Sequence, residues 1–518
     1  MKSFPRYLYI SLLLLALLSA AVPMTKIGGT NVSAQGETKR YVIVYHQQSS
    51  IPKTADDRVA RMGGQIVTRL AEVGAVVATS SNPNFAAELA NSDSSVSDVS
   101  EDLLVKMIPN PDEMKLGAMG DGPVEPPGDD TQTGSEPLYG LQWDKKRMRA
   151  SNQGSYAVQQ GRPDVVVAVL DSGADILPVA HQDIAPNLDF ARSRSFVSPA
   201  PPGGSPNPAD WDDKNGHGSW CLSAVGAPIN GVGMSGVAPR VKLVALKVLN
   251  DSGSGSYVWL AQALIYAGIN KFDVASMSLG GYLARADQSQ HALIKLVQRA
   301  VNFARENGVT PIAALGNESY NLSDGNFMQY FLEIPGEIDG VIGVSATGYF
   351  NLKASYSNYG MGKTDVSAPG GDFAVQTTPM NNPPLPGRGS VLGAWAQEVF
   401  GPNAYAFASG TSMACPNAAG VCALIISQHG DFTTNGNGNK SHMSPQQVEA
   451  YLQQSANNQP CPEPREVNYF TVINLVGLPA GSQVGAPNQR CQGEAGYNNF
   501  YGKGMADALK AVTEAPGQ

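Results

Sequence analysis

Five short runs, each dominated by apolar residues, constrain the fold more than any other feature of this chain. They are VVVAVL (165–170), KLVALKVL (242–249), DVASMSL (273–279), TPIAAL (310–315) and VIGVSA (341–346). Apart from Ser276 and Ser278 in DVASMSL, they lack the polar–apolar alternation of a strand with one wet face. Near-continuous Val, Ile, Leu and Ala is what strands buried on both faces require, and that is the signature of a parallel sheet. Stretches with helical spacing lie between them, such as VWLAQALIYAGINK and HALIKLVQRAVNFAREN. Alternating strands and helices with right-handed crossovers predict an α/β fold, with a doubly wound, mostly parallel sheet flanked by helices. Ligand sites in such sheets lie at the carboxyl ends of the strands.

This pattern occupies residues 138–518. Ahead of it the chain changes character twice. Residues 40–107 open on YVIVYH and continue through a helical stretch, a Gly-Gly break and further short strands. They predict a small α+β domain with an antiparallel sheet. Residues 108–137 are rich in Pro, Gly and acidic side chains and poor in bulky apolar ones. Such a stretch buries too little surface to offset its ordering entropy, and reads as an exposed linker open to proteolytic nicking. At the N-terminus, Lys2 and Arg6 precede the apolar run Leu8 to Val22, with small residues near its end and again before Ala34. The run is shorter than the ~20 residues a spanning helix needs, so residues 1–34 read as a cleaved export signal. The expected product is secreted, with no membrane contact after that cleavage. Lys and Arg total 35 against 44 Asp and Glu, a net charge of −9, which argues against nucleic acid as a partner. Five cysteines in 518 residues are too few for a disulfide scaffold.

Four residues at strand or helix ends carry the chemistry, each with a bland alternative. Asp171 directly follows the most apolar run; it is either a reactive carboxylate or a turn cap beside Ser172 and Gly173. His217 sits between glycines in NGHGS, ahead of a helical stretch, as a general base or a structural imidazole. Ser412 lies in ASGTSMACP at the start of another helical stretch, with Pro416 suited to its first turn. It is either an N-cap or a hydroxyl whose neighbouring free N–H groups and helix dipole favour a developing oxyanion. Asn317, in AALGNES, is either an amide donor to that oxyanion or an ordinary loop Asn in a glycosylation sequon.

Taken together and in chain order, AVLDSG, NGHGS, GVAPRVKLVALKVL, SMSLGG, AALGNE, SAPGGD and GTSMACP resemble the subtilisin-like serine proteases over residues 138 to 513. The closing YGKGMADALKAV resembles that family's last helical segment, and residues 40–107 resemble its inhibitory propeptide. The order Asp, His, Ser is the subtilisin order. The resemblance implies a secreted serine endopeptidase, made as a self-inhibited precursor with its own propeptide as intramolecular inhibitor. It gives Asp171 the role of orienting His217, His217 that of general base, and Ser412 that of nucleophile. The Ser412 amide and Asn317 hold the oxyanion. Extended polypeptides are the implied partners, bound as added strands by Ser252, Gly253 and Ser254 on one side and by Ser278, Leu279 and Gly280 on the other. The expected enzyme is a monomer that needs no cofactor for its chemistry.

The chain departs from the family in two places. Ser219-Trp220 follow HG where Thr-His is common, which predicts altered packing. Leu315 stands where relatives carry a small Ala and is expected to narrow the pocket for the residue before the scissile bond. The resemblance allows a structural calcium site with Asp183 and Asn230 as oxygen ligands; the alternative is a turn with an incidental Asn. Cys461 and Cys491 are the expected disulfide, and Cys221, Cys415 and Cys422 the expected buried thiols. The competing reading is a catalytically silent binding or inhibitory protein on the same scaffold, supported only by the HGSW departure and the insertions.

Overall fold

The computed structural model describes residues 37–108, 131–198, 207–325, 328–372, 389–433, 442–468 and 488–514. The export-signal expectation (1–34) and most of the linker expectation (108–137) fall outside these residues. Residues 37–518 form one compact unit.

Its first part is a four-stranded antiparallel sheet with two helices: β1 (Lys39–Tyr45), α1 (Ala55–Arg61), β2 (Gly64–Leu70), β3 (Ala75–Ser80), α2 (Phe85–Ser92) and β4 (Val96–Glu101), in the order β2-β3-β1-β4. From Tyr41 to Tyr45 strand β1 is apolar without a break because both its faces are covered. Tyr41, Ile43 and Tyr45 pack on Val59, Phe85 and Leu89 of α1 and α2. Val42 and Val44, one residue out of phase, join a different core with helices of the larger part. Each of these buried valines contributes about 1.5–3 kcal/mol. A two-residue strand follows, β5 (Val105–Lys106).

The larger part runs α3 (Trp143–Arg147), β6 (Val166–Asp171), β7 (Arg194–Ser195), α4 (His217–Gly226), β8 (Lys242–Lys247), β9 (Ser254–Gly255), α5 (Tyr257–Ile269), β10 (Val274–Met277), β11 (Gly281–Ala284), α6 (His291–Glu306), β12 (Thr310–Ala314), β13 (Phe331–Ile334), β14 (Ile342–Thr347) and β15 (Val366–Pro369). After these come β16 (Val391–Trp395), α7 (Gln397–Phe400), β17 (Ala404–Ala408), α8 (Thr411–His429) and α9 (Pro445–Ser455). Past two further short antiparallel strand pairs, α10 (Ala508–Thr513) is the last described helix. Seven strands form one sheet, ordered β15-β14-β12-β10-β6-β8-β7, every pair parallel. The five apolar runs are its central five strands. The order reverses about β6, whose successors β8 and β10 flank it on opposite sides, so the carboxyl end of β6 is a topological switch point.

Helices cover both faces. α4 and α8 share one core with α9 and the β16–β17 hairpin, and α5 and α6 share the other with β1–β3 of the first part. Cys461 and Cys491 form the expected disulfide, and the other three cysteines are free and buried. No helix among the described residues is long and apolar enough to cross a membrane.

Trp220, one of the two departures, is fully buried in α4. It fits because β16 carries Gly393 opposite: a Cβ there would lie 2.3 Å from the Trp220 ring. Gly393→Ala is therefore expected to cost about 1–3 kcal/mol, the usual price of overpacking. Thermal melting should show the loss, and the same substitution made beside Trp220→Leu should cost clearly less.

Candidate active site

Asp171 ends β6 and is fully buried. Burying a carboxylate is costly unless partners replace water. Its Oδ1 lies 2.8 Å from Nδ1 of His217 and also accepts from the Ser172 amide at 2.7 Å. His217 is the first residue of α4, held there by Gly216 at φ +98° and by Asp213. Asp213 Oδ1 accepts from the Asn215 and Gly216 amides, and its Oδ2 from the amide and hydroxyl of Ser219. The polar half of the HGSW departure thus secures the loop that carries His217. Burial pulls the His217 pKa down, but the Asp171 carboxylate, with Asp213 behind it, outweighs this and leaves it raised above 6.5.

Ser412 is the second residue of α8, not its N-cap; that position is Gly410. Its Oγ donates to the Ser278 carbonyl at 3.0 Å. Pro416 lies inside α8, deeper than the first turn expected for it. Having no N–H, it cannot serve the Ser412 carbonyl four residues back. The Cys221 thiol stands there instead, 3.7 Å from that oxygen and 3.9 Å from His217 Nδ1. Burial pushes the Cys221 thiol well up, so it remains a protonated donor. One sulfur thereby bridges the starts of α4 and α8. Asn317, just past β12, accepts from the amide and hydroxyl of Thr411 through Oδ1, at 2.8 and 2.9 Å. With its oxygen pinned, the amide Nδ2 is the half left to donate.

A strand of the chain itself lies across this site. Val105 and Lys106 pair antiparallel with Gly255 and Ser254. The amides of Met107 and Ile108 donate to the Gly253 carbonyl at 3.0 and 3.2 Å, and the Gly280 amide donates to the Met107 carbonyl at 3.3 Å. Gly253, Ser254 and Gly280 therefore bracket an extended segment, and Ser278 and Leu279 lie alongside. Ser252 does not take part: it sits exposed at the tip of the turn, its Oγ bonded to Asn250. Gly255, in the same SGSGS stretch (252–256), takes that place. A cavity of about 480 Å³ opens between this segment, Ser412 and Asn317. Leu315 does not line it. Side chains alternate along a strand; Ala314 faces the cavity, and Leu315 is fully buried against Leu322 on the other side. Glu318 and Glu333, which the sequence reading passed over, do line it. Glu333 had a legible signal, a lone carboxylate in the apolar run FLEI.

The two residues expected to hold calcium are not gathered into a ligand set. Asp183 is fully buried, and its Oδ2 accepts from the Tyr405 hydroxyl at 2.5 Å and the Met234 amide at 2.9 Å. Asn230 is exposed and turns its Oδ1 to the Val232 amide of its own loop. A single free carboxylate oxygen, Asp183 Oδ1, does not make the multidentate oxygen cage calcium needs. Burial raises the Asp183 pKa to about 6, against the pull of Tyr405 and Met234. A raised carboxyl stabilises the fold below its ordinary 3.8, and that contribution is lost as pH rises through about 6. Asp183→Asn is thus expected to raise stability at pH 8 by up to about 3 kcal/mol and to change little at pH 4, read by denaturant unfolding. Loss of a metal ligand gives the opposite sign at pH 8.

A family model described as the subtilase family matches residues 162–504, a span that contains Asp171, His217, Asn317 and Ser412. Subtilisin NAT of Bacillus subtilis subsp. natto is 34% identical over 270 residues, 52% of this chain and 57% of its own. Alkaline elastase YaB of a Bacillus strain is 36% identical over 261 residues, 50% of this chain and 54% of its own. The chain thus spans a little over half the length of these relatives. Among solved structures, the epidermin leader peptide processing serine protease of Staphylococcus aureus aligns with a TM-score of 0.67 at 20% identity, covering 93% of this chain and all of that one. Fervidolysin from Fervidobacterium pennivorans aligns with a TM-score of 0.58 at 19% identity, covering 95% of this chain and 63% of its own. Both structural likenesses speak to the fold alone. With the family model matching well over half of its length, the chain belongs to the subtilase family.

Proposed function

We propose that this protein is a serine endopeptidase that cleaves peptide bonds through an acyl-enzyme on Ser412. The observation that carries the reading is the convergence, at the carboxyl side of one parallel sheet, of the Asp171–His217 pair, the Ser412 hydroxyl and an Asn317 amide with its oxygen already bonded. A turn about the Ser412 side-chain bond frees its hydroxyl from Ser278. His217 then takes the proton as Ser412 Oγ attacks the substrate carbonyl carbon. Asp171 keeps Nδ1 of the ring protonated and stabilises the imidazolium. The oxyanion is met by the Ser412 amide at the α8 N-terminus and by Asn317 Nδ2. The imidazolium next returns its proton to the leaving amine. Water, activated by the same base, hydrolyses the ester.

In the same reading the protein is exported and made as a self-inhibited precursor. Support comes from the segment 105–108, which follows the 39–101 domain and occupies the cleft with strand pairing. The domain behind it tightens this hold. Asp102 pairs with Arg40 and accepts from Ser256 at the start of α5, and the Ser100 hydroxyl accepts from the Ala292 amide in the first turn of α6. The Cys461–Cys491 disulfide suits an oxidising compartment. The silent-scaffold alternative loses its main support, because Ser219 and Trp220 are accommodated by Asp213 and Gly393.

A fluorophosphonate probe is expected to label Ser412, and Ser412→Ala to remove both labelling and precursor processing. Processing that persists in that variant assigns the cutting to another protease. Asn317→Ala should lower kcat by about 100- to 1000-fold with labelling retained but slowed. kcat/KM should rise with pH through one ionisation above 6.5, since His217 must be neutral to accept the proton and its pKa is raised.

A further inference from the structure

The cavity beside Ser412 has an acidic floor. Asn317 and Ser412 stand at its mouth, Gly280, Ala314 and Gly316 contribute small walls, and Glu318 and Glu333 contribute carboxylates. Glu318 is held in place: its Oε2 accepts from the Tyr282 hydroxyl, the Asn358 side chain and the Asn317 amide. Glu333 is different. It is 1% exposed, its Oε2 accepts from the Gly336 amide at 2.8 Å, and its Oε1 has no hydrogen-bond partner among the described residues. That oxygen lies directly behind Gly280, 1.9 Å from where a Cβ on that residue would sit, so only glycine leaves it room.

Lys106, on the covering segment, lines the cavity without hydrogen-bonding to Glu333 Oε1, and two other nearby cations are committed elsewhere. Arg285 and Lys363 pair with Glu337, at 3.3 and 2.9 Å, one turn of chain beyond Glu333. A buried carboxylate oxygen with no donor costs free energy in the unliganded protein. The carboxyl responds as expected: burial first, then the like charges of Glu337 and Glu318, push it well above the usual carboxylate range. A group arriving with its own positive charge and N–H donors reverses both penalties. An apolar side chain leaves the oxygen unpaired, and an acidic one adds a third negative group.

We infer that this cavity receives a lysine or arginine side chain, the one belonging to the residue whose carbonyl is presented to Ser412, with Glu333 as its counter-ion. The inference rests on the reading of Ser412 as a peptidase nucleophile and names that site's substrate class. The path of the main chain is the one taken by residues 105–108, between Gly253–Gly255 and Gly280. The residue at the cleavage point then stands over the cavity that Ser412 and Asn317 border. The small walls admit a long, narrow side chain, and the charge at the end of its stem meets the floor.

Peptide substrates that differ only in the residue before the cleaved bond test this. The full chain is incubated until its peptidase activity is constant, then assayed with Arg, Lys, Phe, Leu and Glu at that position. Arg or Lys is expected to exceed Phe in kcat/KM by at least tenfold, and Glu to be the poorest. Glu333→Gln should shrink the Arg-to-Phe ratio by tenfold or more. If that variant does not accumulate, competition in the unaltered protein decides: a peptidyl argininal should inhibit at least tenfold more tightly than the matching phenylalaninal. A protein that is labelled at Ser412 by a fluorophosphonate yet prefers Phe or Leu, or whose ratio is unmoved in Glu333→Gln, overturns the acidic-floor inference alone. A protein that is neither labelled nor active on any peptide overturns the peptidase reading and this inference with it.

Discussion

A carboxylate carried into the protein on the end of a fully buried strand governs the rest of the arrangement. Asp171 cannot be left there without partners, and the sheet order determines which partners reach it. Because β8 and β10 leave on opposite sides of β6, the loops above its carboxyl end diverge and leave a gap. The start of α4 fills one side with His217, and the start of α8 fills the other with Ser412. Helix starts suit this position, because their free N–H groups and dipoles favour negative charge nearby. Cys221 and Pro416 show how closely the two are fitted. The missing proline N–H opens a place at the Ser412 carbonyl, and a thiol from the neighbouring helix takes it.

The acidic cavity and the strand that covers it obey the same accounting of buried polar groups. Segment 105–108 satisfies main-chain donors and acceptors on both walls of the cleft, as an added strand does at any sheet edge. The 39–101 domain does the same for α5 and α6, whose first turns meet Asp102 and Ser100 on one strand end. Glu333 Oε1 departs from that rule, as the nearby Ser278 and Tyr257 hydroxyls do, but it alone of the three can carry a charge inside the cavity.

Much of this was legible in the sequence, for physical reasons. Strands buried on both faces leave an unbroken apolar record, and all five were located within one or two residues. The short β16 and β17 and the edge strands β7 and β15 escaped notice. β7 has only two residues, and in β16 a glycine placed to admit Trp220 dilutes the pattern; nothing in the structure explains why β15 and β17 were missed. Asp171, His217, Ser412 and Asn317 stood out because each follows a recognisable strand or precedes a recognisable helix. The misplacements came from questions that local sequence does not answer. Whether Ala314 or Leu315 faces the cavity depends on one step of strand parity, and both are apolar. The environment of Asp183 depends on Tyr405, more than two hundred residues away, whose hydroxyl closes on the carboxylate. Pro416 falls in the first turn only if the helix starts after Ser412, two residues later than it does. Glu333 was overlooked although the argument applied to Asp171, that a carboxylate in an apolar run needs a reason, applies equally to it.

Strand β1 carries two messages on alternate letters. Tyr41, Ile43 and Tyr45 speak to the small domain's own helices; Val42 and Val44 speak to α5 and α6. Odd positions thus serve the domain's own helices alone, and even positions serve both its sheet, through Leu70, Ala75 and Val77, and its seat on the rest of the molecule. The odd letters of this seven-residue strand can therefore change without disturbing the hold, whereas a change at an even letter is felt on both sides of the seam.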